Sequence, residues 1–341
     1  MHDLEGHFVE LCEKPNPNIL IWGSSGQGKT YFCCRRIEEI LKVGKRVIII
    51  DFSGSYTKKE LMKNKILFLE KIQVLNPYVE KMEWGISSED EESMISNLSD
   101  TLIEILRIES YFQRRLLRKI LKVHLKKEKN FSVPCFVKTL EKEYVLAKKK
   151  GDWKDNVDNI GRLLTRLSIF EMIENFHVVE KDRMTYFPVT IFQLSDFPEQ
   201  ERRFLSEFMI ISLWKEILSG RKKFDVILLD EFQLIPMKSG NTFLRIMREG
   251  RKYGLELILS TQFISNYSED VETSLLQAGN LVIFKPAACD LRFSATIIDE
   301  RKREQWIGVL ERLDVGQAVV KGNYTCNGNN IKITDPIICI V

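Results

Sequence analysis

The run ILIWGSSGQGKT (19–30) decides how the rest of the chain is read. Its four leading apolar residues are too few for a helix and end in turn-formers, which predicts a buried strand. The next eight, Gly23, Ser24, Ser25, Gly26, Gln27, Gly28, Lys29 and Thr30, fit the phosphate-loop pattern G-x-x-x-x-G-K-T. Glycines let such a loop turn its N–H groups inward, and the helix that follows adds the positive end of its dipole. Lys29 is then expected to reach the β- and γ-phosphates of a bound nucleotide, and the Thr30 hydroxyl to ligate Mg²⁺. The bland alternative is a glycine-rich turn before a helix.

Residues 29–43 carry a helical pattern and RVIIIDF (46–52) reads as a second buried strand, so the two strands and their helix form a parallel βαβ unit. From about residue 88 the character changes to long helical spacing with almost no Gly or Pro, opening on Ser88 and Glu91 as a capping box. Further helices are expected over 132–149 and 157–173. Strand-like runs return at 187–195, 224–230, 255–261, 280–285 and 316–322, with helical patterns at 199–218 and 242–252. The expected fold class is therefore α/β, a mostly parallel sheet with helices on both faces. The expected organisation is a core of 1–87 and 182–341 interrupted by an all-α insertion, 88–181.

Such a phosphate loop needs a carboxylate at a neighbouring strand end, and FDVILLDE (224–231) supplies two. Asp230 is expected to hold Mg²⁺ through its water shell, and Glu231 to polarise an attacking water. The strand LELILSTQ (255–262) ends in Ser260, Thr261 and Gln262; since parallel strands bring their C-terminal ends together, Gln262 should face the γ-phosphate. Arg248, Arg251 and Lys252 precede that strand and so fall at the opposite end of the sheet, better placed to serve a neighbouring subunit than their own nucleotide.

Bulk properties exclude several classes. The chain has 341 residues, 44% hydrophobic and 29% charged, with a formal net charge of only +3, so no global field announces a nucleic-acid partner. Seven cysteines without a Cys-x-x-Cys pair fit a reducing compartment, and His2, His7, His124 and His177 show no zinc-ligand spacing. No apolar run spans a bilayer and no signal peptide is evident, so a cytoplasmic location is expected, with docking on a membrane complex still open. There is no Asn-Lys-x-Asp for guanine and no Leu-Ser-Gly-Gly-Gln block.

With these residues in hand, the chain resembles the HerA/FtsK superfamily of hexameric motor ATPases. GSSGQGKT, VIIIDFSGSY, FDVILLDEFQ, MREGRKYGLELILSTQF and LDVGQAVVKG…IKITDP carry the likeness, which is nearest to HerA helicases and to VirB-type ATPases of type IV secretion and conjugation. The resemblance implies a RecA-like fold, ATP and Mg²⁺, a homo-hexamer and duplex DNA as cargo. It also implies Glu231 as catalytic base, Gln262 as γ-phosphate sensor and Arg251 as an arginine finger acting in trans. A VirB-type energiser at a membrane secretion complex, or a nucleotide-controlled scaffold for a partner nuclease or effector, are the alternatives. Departures are Gly54-Ser55-Tyr56 where these families usually have Gly-Glu-Tyr, Phe232-Gln233 in place of Ala-His or Ala-Trp, and no proline soon after Gln262. No room is expected before the loop for the N-terminal barrel of HerA.

Three weaker features carry bland expectations. The basic run 113–129 reads as the solvated face of an amphipathic helix, with phosphates or an acidic partner as the alternative. Lys238 and Ser239 lie in a loop that is either a pore loop or a surface turn. Trp153 and Trp214 are expected in the core.

Overall fold

The computed structural model describes the chain except residues 13–14, 66–68, 87–89, 171, 181–185, 222, 238–240, 266 and 328–334. Strands in chain order are β1 (His2–Asp3), β2 (Val9–Leu11), β3 (Ile19–Trp22), β4 (Val47–Asp51), β5 (Ile72–Leu75), β6 (Met82–Gly85) and β7 (Phe176–Val179). They continue with β8 (Val189–Gln193), β9 (Val226–Leu229), β10 (Glu256–Thr261), β11 (Asn280–Phe284), β12 (Gln317–Gly322), β13 (Tyr324–Cys326) and β14 (Ile337–Ile340). The helices are α1 (Lys29–Lys42), α2 (Lys58–Lys63), α3 (Glu91–Ile105), α4 (Tyr111–Glu128), α5 (Val133–Lys150) and α6 (Lys154–Leu167). After them come α7 (Glu199–Leu218), α8 (Thr242–Glu249), α9 (Glu269–Leu275), α10 (Ala288–Asp299) and α11 (Arg303–Glu311).

The chain divides into two compact units. The first comprises Met1–Val74, Tyr186–Ile191 and Lys222–Val341; the second comprises Leu75–Thr185 and Phe192–Arg221, a wider span than 88–181. The main sheet has the order β1-β14-β12-β11-β3-β10-β9-β4-β8-β5. Its centre is parallel: β3 pairs β11 and β10, β10 pairs β9, and β9 pairs β4. One edge is antiparallel, through β12, β14 and β1. Sequence reading finds the central strands because they carry short apolar runs of Ile, Leu and Val, buried on both faces.

Strand alternation sorts the side chains. Ile19, Ile21, Val47, Ile49, Val226, Leu228, Ile258 and Phe284 face α1, packing on Phe32, Cys33, Ile37 and Ile40. The opposite face buries Leu20, Trp22, Ile48, Ile50, Leu229 and Leu259. There the Trp22 indole Nε1 donates to Ser294 Oγ of α10 at 2.8 Å, so the largest ring on that face keeps its polar atom satisfied.

The second unit is mostly helical, but the stretch 88–181 is not all-α: β7 pairs in parallel with β6. Four residues, FHVV, are too short to announce a strand beside long helices. Asp90, whose carboxylate accepts from Ser93 N at 2.7 Å, caps α3, whereas Ser88 lies outside the described residues. On α4 Leu117, Ile120, Leu121 and Leu125 are buried while Arg114, Arg115, Arg118, Lys119 and Lys122 are exposed, as a solvated basic face requires. Trp214 is in the core, but Trp153 is 86% exposed. It sits between the left-handed Gly151 that ends α5 and the first turn of α6, in a connection rather than on an apolar stripe.

At the lower end of the sheet, Glu256 opens β10 and is buried against Arg36 of α1, with Nη2 to Oε1 at 3.4 Å and Lys45 Nζ at 3.5 Å. Removing one partner of a buried pair strands the other charge. Arg36→Met should therefore lower stability by about 3 kcal/mol in urea denaturation, the smaller end of the range because Lys45 remains.

Candidate functional site

The site is assembled by register. Thr261 of β10 pairs Trp22 of β3, Leu259 pairs Leu229 of β9, and Ile50 of β4 pairs Leu229, so the strands end together. Gly23, Asp51, Asp230 and Gln262 lie at or one residue past the ends of their own strands, ends that fall within two residues of one another across the sheet. Alternation then puts Asp51, Asp230 and Ser260 on the α1 side, in line with Ile49, Leu228 and Ile258.

Gly23 has φ of +147°, and a Cβ there would lie 2.7 Å from Phe284 Cβ, so the first loop position admits only glycine. The loop is pinned at both sides, Ser24 N donating to Lys285 O at 2.9 Å and Gly316 N to Gln27 O at 3.0 Å. Ser25 and Gly26 form its exposed crest. Gly28, at φ of +111°, then opens α1 at Lys29 and Thr30. Lys29 Nζ is buried and donates to Gly23 O at 2.7 Å and Ser24 O at 3.0 Å. Burial pulls its pKa below the usual lysine value, against the opposing pull of the nearby Glu231 and Asp230 carboxylates.

Asp230 is buried, and burial pushes its carboxyl up to about 7; the neighbouring Glu231 and Asp51 charges add to the rise, while a hydrogen bond from Ser53 opposes it. Ser53 Oγ donates to Asp230 Oδ2 at 2.6 Å. Ser53 is delivered there by Asp51, whose Oδ1 accepts from Gly54 N at 2.8 Å and whose Oδ2 accepts from Tyr56 N at 3.0 Å, folding the turn after β4. Sequence motifs alone do not mark Ser53 and Asp51 as site residues; the available cue is an Asp-x-Ser-Gly turn at a strand end facing the phosphate loop. Thr30, Asp230 and Ser53 offer hard oxygen donors suited to Mg²⁺, beside a glycine cradle with inward amides suited to phosphates.

Glu231 turns away from Asp230. It adopts a left-handed conformation, φ 52° and ψ 44°, just before the short 3₁₀ turn Phe232–Leu234. Gln262 Nε2 donates to its Oε1 at 2.8 Å, and Gln233 Nε2 donates to its Oε2. The sensor strand's Thr261 hydroxyl donates to Gln233 Oε1 at 2.7 Å. Beyond Gln262 the backbone is held by buried Asp290 at the start of α10, which accepts from Ile264 N at 2.9 Å and Ser265 N at 3.1 Å. Lys29, Thr30, Asp230, Glu231 and Gln262 thus gather at one edge. Arg251 does not join them: it is exposed at the other end of β10, its Nη1 3.5 Å from Pro15 O. The six residues of β10 separate it from that edge by roughly 20 Å. Lys238 and Ser239 fall outside the described residues.

Away from this edge, Asp3, His7 and Cys326 converge although the histidine spacing announced nothing. Asp3 Oδ2 is 2.9 Å from His7 Nδ1 and 4.0 Å from Cys326 Sγ, a set of hydrogen bonds that ties the first turn of the chain to β13.

Because Asp230 holds its proton more tightly when folded than its ordinary 3.8, its contribution to stability is full at low pH and falls as pH rises towards about 7. Ionised at pH 8, it costs the fold on the order of 4 kcal/mol. Asp230→Asn should therefore raise the melting temperature of nucleotide-free protein at pH 8, leave it little changed near pH 4, and weaken Mg²⁺-dependent nucleotide binding.

The family model described as "Helicase HerA, central domain" matches residues 16–213, more than half of the chain. The DNA double-strand break repair helicase HerA of Sulfurisphaera tokodaii is 27% identical over 94% of this chain, which spans 66% of that relative's length. Its counterpart in Sulfolobus acidocaldarius is 24% identical over 97% of this chain and is spanned to 68%. Among solved structures, VirB4 of Thermoanaerobacter pseudethanolicus superposes with a TM-score of 0.68 at 16% identity, covering 98% of this chain and 94% of that one. The plasmid coupling protein TrwB in complex with ADP and Mg²⁺ gives 0.67 at 14% identity, covering 94% and 85%. These two likenesses show the RecA-like fold. The match across the phosphate loop, the strand after it and the helical segment places the chain in the HerA central-domain family of P-loop ATPases, and it belongs to that family.

Proposed function

We propose that the chain is an ATP-hydrolysing motor that works as a ring, most simply a homo-hexamer, and moves duplex DNA. One observation carries this reading: Lys29, Thr30, Asp230, Glu231 and Gln262 share one edge of the sheet while Arg251 stands exposed at the other end of β10. A lone subunit then holds every part of a hydrolytic site except a cation for the charge that grows on the γ-phosphoryl oxygens. In a ring, Arg251 of one subunit faces the next subunit's nucleotide.

In this mechanism the loop amides and Lys29 hold the β- and γ-phosphates, Lys29 exchanging its bonds to the Gly23 and Ser24 carbonyls for phosphate oxygens. Thr30 and, through water, Asp230 would hold Mg²⁺, which would supply charge neutralisation for the phosphates. Glu231 takes a proton from the attacking water as its oxygen bonds to the γ-phosphorus; the bond to the β-phosphate oxygen breaks, and ADP leaves with that electron pair. Gln262 reads the γ-phosphate. Support for DNA as cargo comes from the HerA relatives, named as DNA double-strand break repair helicases.

Lys29→Ala should abolish hydrolysis, and Arg251→Ala should abolish it while leaving binding of an ATP analogue intact. Rings mixed from Arg251→Ala and Glu231→Gln subunits should recover activity above either variant alone, because some interfaces then hold a complete site. Saturating duplex DNA at low salt should stimulate the wild-type rate and lose that effect as salt rises. Unstimulated hydrolysis would remove DNA as the cargo, and mixed rings without recovery would remove the finger in trans.

A further inference from the structure

Glu231 is the residue on which hydrolysis turns, and neither of its carboxylate oxygens is left to solvent alone. Oε1 accepts from Gln262 and Oε2 from Gln233. An ionised carboxylate has no proton to give, so both amides must present their NH₂ ends to it. For Gln233 that orientation is enforced from behind. Gln233 Oε1 then lies 2.7 Å from Thr261 Oγ1, and between two oxygens the proton must be the hydroxyl's, shared with Phe263 O at 2.9 Å, while Oγ1 itself accepts from Phe263 N at 3.3 Å. The result is a directional chain: Thr261 hydroxyl, Gln233 amide, Glu231 Oε2. Two successive residues of the sensor strand therefore reach the two oxygens of one carboxylate, Gln262 directly and Thr261 through Gln233.

We propose that Gln233 is a positioning residue for the hydrolytic base, fixing Glu231 to the sensor strand through Thr261 while Gln262 is free to change partners. This rests on the ATPase reading and deepens it. The two tethers differ in kind. Gln262 is a single amide at the strand end, able to leave Oε1 when a γ-phosphate oxygen offers a better acceptor; Oε1 is then open to the proton of the attacking water. Gln233 is held at both ends of its amide, so Oε2 stays in place and the carboxylate plane keeps its orientation as Oε1 changes role. The backbone needs that restraint, because Glu231 sits in the left-handed region without being glycine. Asp230 and Glu231 are adjacent, and a Glu231 free to swing back would bring two carboxylates to one metal. Gln233 keeps them apart.

The test separates positioning from mere packing. Gln233→Met keeps the length and removes both polar ends. Its kcat should fall by about tenfold or more, within what a positioned base contributes, with affinity for a non-hydrolysable ATP analogue unchanged. Gln233→His, whose neutral ring donates through one nitrogen and accepts through the other, should restore most of kcat. In nucleotide-free protein, Thr261→Val and Gln233→Met should lower the melting temperature non-additively, the double variant melting no lower than the worse single one. Wild-type kcat in Gln233→Met, failure of Gln233→His to restore activity while it melts normally, or strictly additive melting shifts each overturn the positioning role. Those outcomes leave hydrolysis standing, whereas a wild-type protein that hydrolyses nothing overturns the ATPase reading and this inference with it.

Discussion

The in-step parallel pairing of β10 with both β3 and β9 is the constraint on which the site depends. Hydrogen bonding along both edges of β10 fixes where its neighbours end relative to it, and burial on both faces fixes which side chains point to α1. Slipping β10 by one residue would exchange its faces, sending the apolar residues beside Thr261 against α1 and Ser260 away from it. Because the sheet is covered on both sides, such a slip would disrupt two cores at once. The edge that gathers Gly23, Asp51, Asp230 and Gln262 is thus specified by packing far below it, including the buried Glu256–Arg36 pair that anchors the start of the same strand.

The energetics at that edge run against the fold. Asp230 and Asp51 are both buried carboxylates, and burial raises both above the ordinary aspartate range. Asp51 is compensated by the turn it organises, accepting backbone N–H groups from Ser53 to Tyr56. Asp230 receives side-chain hydroxyls, Ser53 and with it Ser260, beside another acid in Glu231. On the proposed reading, a buried carboxylate with a raised pKa beside the phosphate loop is where an incoming cation would be favoured. Lys29 is the complement: a buried ammonium satisfied by its own loop carbonyls, bonds it can exchange for phosphate oxygens.

Much of this was legible in the sequence because buried parallel strands and phosphate loops are local patterns. β3, β4, β9 and β11 carry apolar runs of four and β10 and β12 runs of three, and the strand ends carry the acids and amides. What escaped was non-local or masked by polarity. β1, β2, β13 and β14 are two to four residues long and exist only through their partners. Helix α10 hides its amphipathic stripe because Asp290 and Ser294 occupy buried positions, one holding the loop after Gln262 and the other the Trp22 indole. Trp153 shows the converse error: a large aromatic ring is core by composition, yet a cap position on a connection left it outside. Gln233 and the Ser53–Ser55 turn were visible as departures from the familiar motifs. Their meaning required knowing that Gln233 reaches Thr261 and that Ser53 reaches Asp230, contacts no spacing rule encodes.

On the proposed reading, β10 has a second property that follows from its being a strand. Its upper end bears Gln262, which senses the subunit's own nucleotide, and its lower end follows directly from the turn bearing Arg251. A helix could curve between such points and a loop would absorb displacement. A central strand bonded on both edges and packed on both faces can do neither: it is the stiffest connection the fold offers. Its lower end is further fixed by Asn18, whose side chain accepts from Leu257 N at 3.0 Å and donates to Met247 O at 3.3 Å, locking strand start to helix α8. On that reading the strand gives engagement of Gln262 a direct mechanical route to the turn that bears Arg251. Communication between neighbouring sites in such a ring would then run along one strand, with the proposed sensor at its upper end and the turn bearing the proposed finger just below its lower end.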